Sequence, residues 1–120
     1  MFKTTTKVTK EGKTSNEEYI VLADTPSIAE AMLMKELEGI TVEKTTSVTE
    51  LKVNEIFENG EGVFYECKVD SEDEEGIKMI KETFIQEANN FADAYLTFTK
   101  NVDYGYIRSI KELKTLGIIK

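Results

Sequence analysis

Tyr104 and Tyr106 flank Gly105, and Arg108 follows two residues later. On an extended strand the two tyrosines project the same way. Two aromatic rings and a guanidinium at that spacing can stack on a nucleobase and contact a phosphate. Lys3 and Lys7, alternating with Thr5 and Thr9, can line a second strand face and add charge to such a surface. The five residues Lys3, Lys7, Tyr104, Tyr106 and Arg108 are therefore the candidate ligand-binding set, for a nucleotide or single-stranded nucleic acid. Lysines on a strand's solvent face more commonly serve solubility, and tyrosines at strand starts more commonly pack a core.

Other chemistry has little to work with. The chain has no histidine, so the commonest general acid/base and metal ligand is missing. The single cysteine, Cys67, alternates with Val63, Tyr65 and Val69, which reads as a small core residue rather than a nucleophile. No phosphate-cradling glycine loop, nucleophile elbow or zinc spacing occurs. The run Asp70-Ser71-Glu72-Asp73-Glu74-Glu75-Gly76 invites calcium, but its glycine is misplaced and the closing chelating glutamate is missing. The expectation is a non-catalytic protein with no metal and no cofactor.

That acidic run sits in a wider window. Residues 55–75 hold nine acids against Lys68, and the rest of the chain balances 14 acids with 14 bases. The formal charge of −8 is thus local. Duplex nucleic acid would need a clear basic patch, which the rest of the chain lacks. The acids can instead meet a basic protein, so Glu72, Asp73, Glu74 and Glu75 form the candidate protein-interaction set, the partner being a host or phage protein. A homodimer is the other partnership considered.

At 120 residues the chain fits one domain over 1–120, and halves of about 60 residues are small enough that a shared core is expected. No apolar run is long enough to span a membrane, and Met1 to Thr6 lack a signal peptide's apolar segment. One cysteine makes no internal disulfide. These features point to the cytoplasm.

The elements that must hold the candidate residues are written twice. Ser47-Val48-Thr49-Glu50-Leu51-Lys52 reads onto Ser109-Ile110-Lys111-Glu112-Leu113-Lys114. Ile28-Ala29-Glu30-Ala31 reads onto Phe91-Ala92-Asp93-Ala94. In the first copy, residues 2–9 alternate Phe2, Thr4, Thr6, Val8 against polar neighbours, which is a half-buried strand. Gly12 turns the chain and 18–23 forms the partner strand. Thr25 caps a helix with Pro26 at its first position, Gly39 ends it, and its apolar face is Ile28, Ala29, Met32, Leu33 and Leu37. A long strand runs 40–51 and extends or bends through 53–57.

In the second copy the strands are 63–70 and 77–88, joined by the acidic connection. Asn89 or Asn90 caps a helix with the apolar face Phe91, Ala94, Tyr95 and Phe98. Residues 104–113 are the last strand, and Gly117-Ile118-Ile119 docks as a short tail. The expected fold is α+β: a tandem β-β-α-β repeat, 1–57 and 63–120, joined by the Gly-rich link 58–62. Its sheets are mainly antiparallel, with two helices packed on one face.

Tyr19-Ile20-Val21-Leu22-Ala23 before Ser27-Ile28-Ala29-Glu30-Ala31, then Val53-Asn54-Glu55-Ile56-Phe57, Phe64-Tyr65-Glu66-Cys67-Lys68-Val69 and Tyr106-Ile107-Arg108-Ser109-Ile110, form a pattern covering almost the whole chain. It resembles an uncharacterised domain family of Bacteroidetes and their phages, crAss-like phages included. The resemblance implies a small intracellular phage or bacterial protein and carries no activity or functional residue. The expected role is a phage or mobile-element accessory that binds a nucleotide or single-stranded nucleic acid; the alternative is an interaction module, an inhibitor of a host defence factor or a virion or assembly component, using the acidic 55–75 segment. The family's N-terminal aromatic-Cys-Lys-like strand is here Phe2-Lys3-Thr4-Thr5, so a shared role for Cys67 does not follow.

Overall fold

The computed structural model describes the backbone of residues 1–120 and every side chain except those of residues 44–46. The elements follow in the order β1 (Phe2–Lys10), β2 (Lys13–Val21), α1 (Pro26–Glu36), β3 (Thr41–Glu50), β4 (Glu55–Phe57), β5 (Val63–Glu72), β6 (Met79–Ala88), α2 (Phe91–Asn101), β7 (Tyr106–Glu112) and β8 (Thr115–Ile119). Two helices and two mostly antiparallel four-stranded sheets make an α+β fold. Among the described residues, no helix is long and apolar enough to cross a membrane.

The chain divides into two compact units. The first holds Met1–Lys52 with Thr115–Lys120, and the second holds Val53–Lys114. Their sheets have the orders β3-β1-β2-β8 and β4-β6-β5-β7. Read from the other edge, the second is β7-β5-β6-β4. The two correspond strand for strand, and in each the last strand is the parallel one. That strand is supplied by the other half of the sequence: β4 pairs with β6, and β8 pairs with β2. The units therefore do not coincide with the stretches 1–57 and 63–120. Among the described residues, each unit has its own cluster of buried apolar side chains.

In the first unit, Phe2, Thr4, Thr6 and Val8 face inward as their alternation requires. Glu11 and Gly12, at φ 51° and 78°, close a two-residue hairpin turn that pairs Lys10 with Lys13. The second strand thus begins at Lys13, five residues before the expected start at Glu18. The Thr25 hydroxyl accepts the Ile28 amide at 3.2 Å to cap α1, with Pro26 at the first position. Ala29, Leu33 and Leu37 pack against Phe2, Val8, Val21 and Ile119, with Met32 at the margin, while Ile28 is half-exposed. The tail around Ile119 is a strand because a parallel partner, β2, takes its backbone groups: Leu22 donates to the Ile119 carbonyl at 2.8 Å.

Thr4 donates its hydroxyl to the Tyr19 carbonyl at 3.1 Å, but the fully buried Thr6 Oγ1 has no hydrogen-bond partner among the described residues. An unpaired buried hydroxyl costs about 1–3 kcal/mol. Thr6→Val keeps the shape and the β-branch, so it is expected to raise the unfolding free energy by about 1 kcal/mol. A urea titration reads this directly, and an unchanged or lower midpoint would contradict it.

In the second unit, Phe57, Phe84 and Phe98 form a ring cluster with centroids 5.6–6.3 Å apart. Ala94 and Phe98 of α2 seat on it beside Tyr65, Cys67, Val69 and Ala88. Asn90 caps α2 by accepting the Asp93 amide at 2.9 Å, and Asp93 accepts the Asn89 amide in return at 2.9 Å. The link at 58–62 is held by Glu87. Its carboxylate accepts the amides of Asn59 at 2.9 Å, Gly60 at 3.0 Å and Gly62 at 2.6 Å.

Candidate functional site

The second unit carries an open groove of about 720 Å³ between α2 and the start of β7. One wall is a helical stripe, Phe91, Tyr95 and Thr99, spaced by four residues and therefore on one side of α2. This stripe lies a quarter-turn from the buried pair Ala94 and Phe98. Phe91 is 57% exposed and Tyr95 is half-exposed, so neither belongs to the core face expected of them. Of the four apolar positions on this face, only Ala94 and Phe98 are buried. Beneath Phe91 lies the buried Tyr65, edge-on with centroids 6.4 Å apart.

The other wall is the connection from α2 to β7. Val102 ends the helix, and Gly105 turns the chain at φ 73°. A side chain here would stand 2.7 Å from the Asp70 carbonyl and 2.9 Å from Val69 Cγ1, so the backbone lies directly against β5. That contact sets the two tyrosines. Tyr104 donates its hydroxyl to the Glu82 carboxylate at 3.2 Å, which fixes the ring. Burial and then the Glu82 carboxylate push its pKa up, so it stays a neutral donor. Tyr106 is 74% exposed and opens β7 opposite Asp70. The last strand begins there, two residues later than its sequence pattern suggests, because Tyr104 and Gly105 form the turn.

Arg108 is placed by a β-bulge. Ser109 pairs with Lys68 and Ile107 pairs with Val69, so Arg108 is the extra residue between them. The bulge lets Ile107 and Ile110, three apart, both pack on the core cluster. It leaves Arg108 lining the groove, its Nε 3.6 Å from Asp70 Oδ1. That ion pair is too long for a hydrogen bond, and Asp70 Oδ1 has no hydrogen-bond partner among the described residues. The charges lining the groove are Arg108 and Asp103, and the Asp70 and Glu82 carboxylates beside Arg108 and Tyr104 leave its surroundings net acidic.

Tyr104, Tyr106 and Arg108 thus share one groove. Lys3 and Lys7 belong to the first unit, so neither unit holds all five candidates. Lys3 lies 3.8 Å from Glu18, and Lys7 is exposed opposite Asn16. Phe91 and Tyr95 complete the groove. Their i, i+4 spacing was visible in the sequence, but it fits a core stripe as well as an exposed one.

The acidic set divides as well. Asp73 builds the hairpin turn: its carboxylate accepts the Ile77 amide at 2.9 Å and its carbonyl accepts the Gly76 amide at 3.0 Å. Glu72, Glu74 and Glu75 are exposed. No group of three or more Cys, Asp or Glu side chains among the described residues could hold a metal ion. Cys67 is fully buried, and burial pushes its thiol up to about 12, beyond use as a nucleophile near neutral pH.

A protein family described as a domain of unknown function (DUF4494) matches the chain over residues 2–120. No curated protein and no solved structure matches it.

Proposed function

For a chain that belongs to this family of unknown function, we propose a non-catalytic binding role. The ligand is a nucleotide or a short stretch of single-stranded nucleic acid, held in the groove between α2 and β7. The observation that carries this reading is the gathering of four solvent-open aromatic rings, Phe91, Tyr95, Tyr104 and Tyr106, around one guanidinium. Every nucleobase has a face that stacks on such rings, and Arg108 can add a phosphate or cation–π contact. With the one cation already facing Asp70, stacking rather than charge is the main source of affinity. The bulge at Arg108 also spoils the outer edge of β7 for strand addition by a peptide, which weakens the competing use of this groove. An accessory role for a Bacteroidetes phage or mobile element, in the host-cell cytoplasm, rests on the family resemblance alone.

Fluorescence anisotropy with labelled single-stranded oligonucleotides tests the reading, alongside thermal shifts with a nucleotide panel. Tyr95→Ala and Tyr106→Ala are each expected to weaken binding by about 1–3 kcal/mol. The plot of log affinity against log salt should fall with a slope of about −0.7 or shallower, as for one phosphate contact. No binding at low salt and a flat thermal response would overturn the proposal.

A further inference from the structure

The β5–β6 hairpin reaches beyond its sheet. β7 pairs with β5 as far as Asp70 and Tyr106, whereas β5 and β6 stay paired to Glu72 and Met79. Its tip is ordered by three hydrogen bonds: Asp73 amide to Lys78 carbonyl at 3.0 Å, Gly76 amide to Asp73 carbonyl at 3.0 Å, and Ile77 amide to Asp73 carboxylate at 2.9 Å. This turn holds large apolar side chains out in water. Ile77 is 75% exposed, Met79 is 55% exposed and Ile80 is also exposed. Leaving one such side chain in solvent forgoes about 1.5–3 kcal/mol of burial. Met79 and Ile80 are adjacent on β6 and project to opposite faces, so the apolar patch wraps the arm rather than covering one face. Glu72, Glu74 and Glu75 rim the patch, with Lys78 as the one base among residues 72–80.

We infer that this tip is a docking arm for a second protein, one whose contact segment combines bulky apolar side chains with lysine or arginine. The apolar side chains pack together, and the carboxylates meet the cations and speed encounter. Charge decides between the occupants. A nucleic acid would be repelled, and a second copy docking arm to arm would bring the same carboxylates to the contact. The arm uses none of the residues lining the groove, so its failure and the failure of the nucleotide reading are separable.

The test is a selection of random dodecapeptides displayed on yeast against the full chain, with affinities then remeasured on an Ile77→Ser/Met79→Ser variant. Exposed residues change little in the fold, so the variant should keep the melting temperature of the parent. The expected result is a set of peptides combining lysine or arginine with bulky apolar residues. Their affinity should drop about tenfold or more on the variant and should also weaken in salt. Peptides that bind both proteins equally, or a selection with no enrichment, would overturn the inference. So would self-association of the parent, read by sedimentation, that the double substitution abolishes, since a second copy would then be the occupant.

Discussion

Replacing Gly105 by alanine is expected to cost about 2–4 kcal/mol of stability and to dismantle the aromatic groove. Two effects add. At φ 73° an alanine pays about 1–2 kcal/mol for the left-handed conformation. Its methyl would also stand 2.7 Å from the Asp70 carbonyl and 2.9 Å from Val69 Cγ1. Neither neighbour can step aside, because Asp70 is backbone of a paired strand and Val69 is in the core. The turn must therefore lift off β5, and Tyr104 and Tyr106 move with it. Gly39 supplies the control, since it sits at φ 86° with open space around its Cα. Gly39→Ala should show the conformational cost alone. Urea unfolding compares the two, and amide exchange along β7 locates the damage. If Gly105→Ala proved no costlier than Gly39→Ala, the close approach to β5 would not matter as argued.

The second large effect concerns Glu87. Burial by itself would raise its pKa, but the amides of Gly60, Gly62 and Asn59 together outweigh that and hold it below the ordinary glutamate value. Glu87→Ala leaves three amides without their acceptor and is expected to cost about 2–4 kcal/mol. Glu87→Gln keeps one acceptor oxygen without the charge and should cost less. The pH dependence gives the sharper test. A carboxylate with a depressed native pKa contributes stability that is fully present above the unfolded value. That contribution is lost as pH falls through the native value. The gap between the parent and Glu87→Gln should thus be widest near neutrality and close in acid. A gap that stayed constant from neutral pH into acid would show that the carboxylate's charge plays no part.

Most of the fold was legible because short-range signals agree with one another. Thr25-Pro26, the Asn89-Asn90 pair and the alternation from Phe2 to Val8 each mark a local structure, and each is found, with Asn90 as the cap. What the pattern could not reveal is the exchange of outer strands. Glu55–Phe57 and Thr115–Ile119 are too short to carry a period, and nothing in three or five residues says which sheet will take them. The groove was half legible. Tyr104, Tyr106 and Arg108 were marked by their types and spacing. Phe91 and Tyr95 were assigned to the wrong face, because an apolar stripe does not state its own width. Lys3 and Lys7 were grouped with the tyrosines on charge alone, and charge says nothing about which unit a strand joins. Glu87 left no signal beyond the glycines it binds.

The exchanged strands also set an order in time. The second unit is one contiguous stretch and can close as soon as its own residues leave the ribosome. The first unit has its hairpin, helix and β3 made early, yet its parallel edge waits for Thr115, which lies 97 residues after its partner Glu18. Loop closure over that distance is slow and comes late. Until then β2 keeps an open edge, ready to pair with the wrong strand. The unit whose synthesis begins first is thus the one that finishes last.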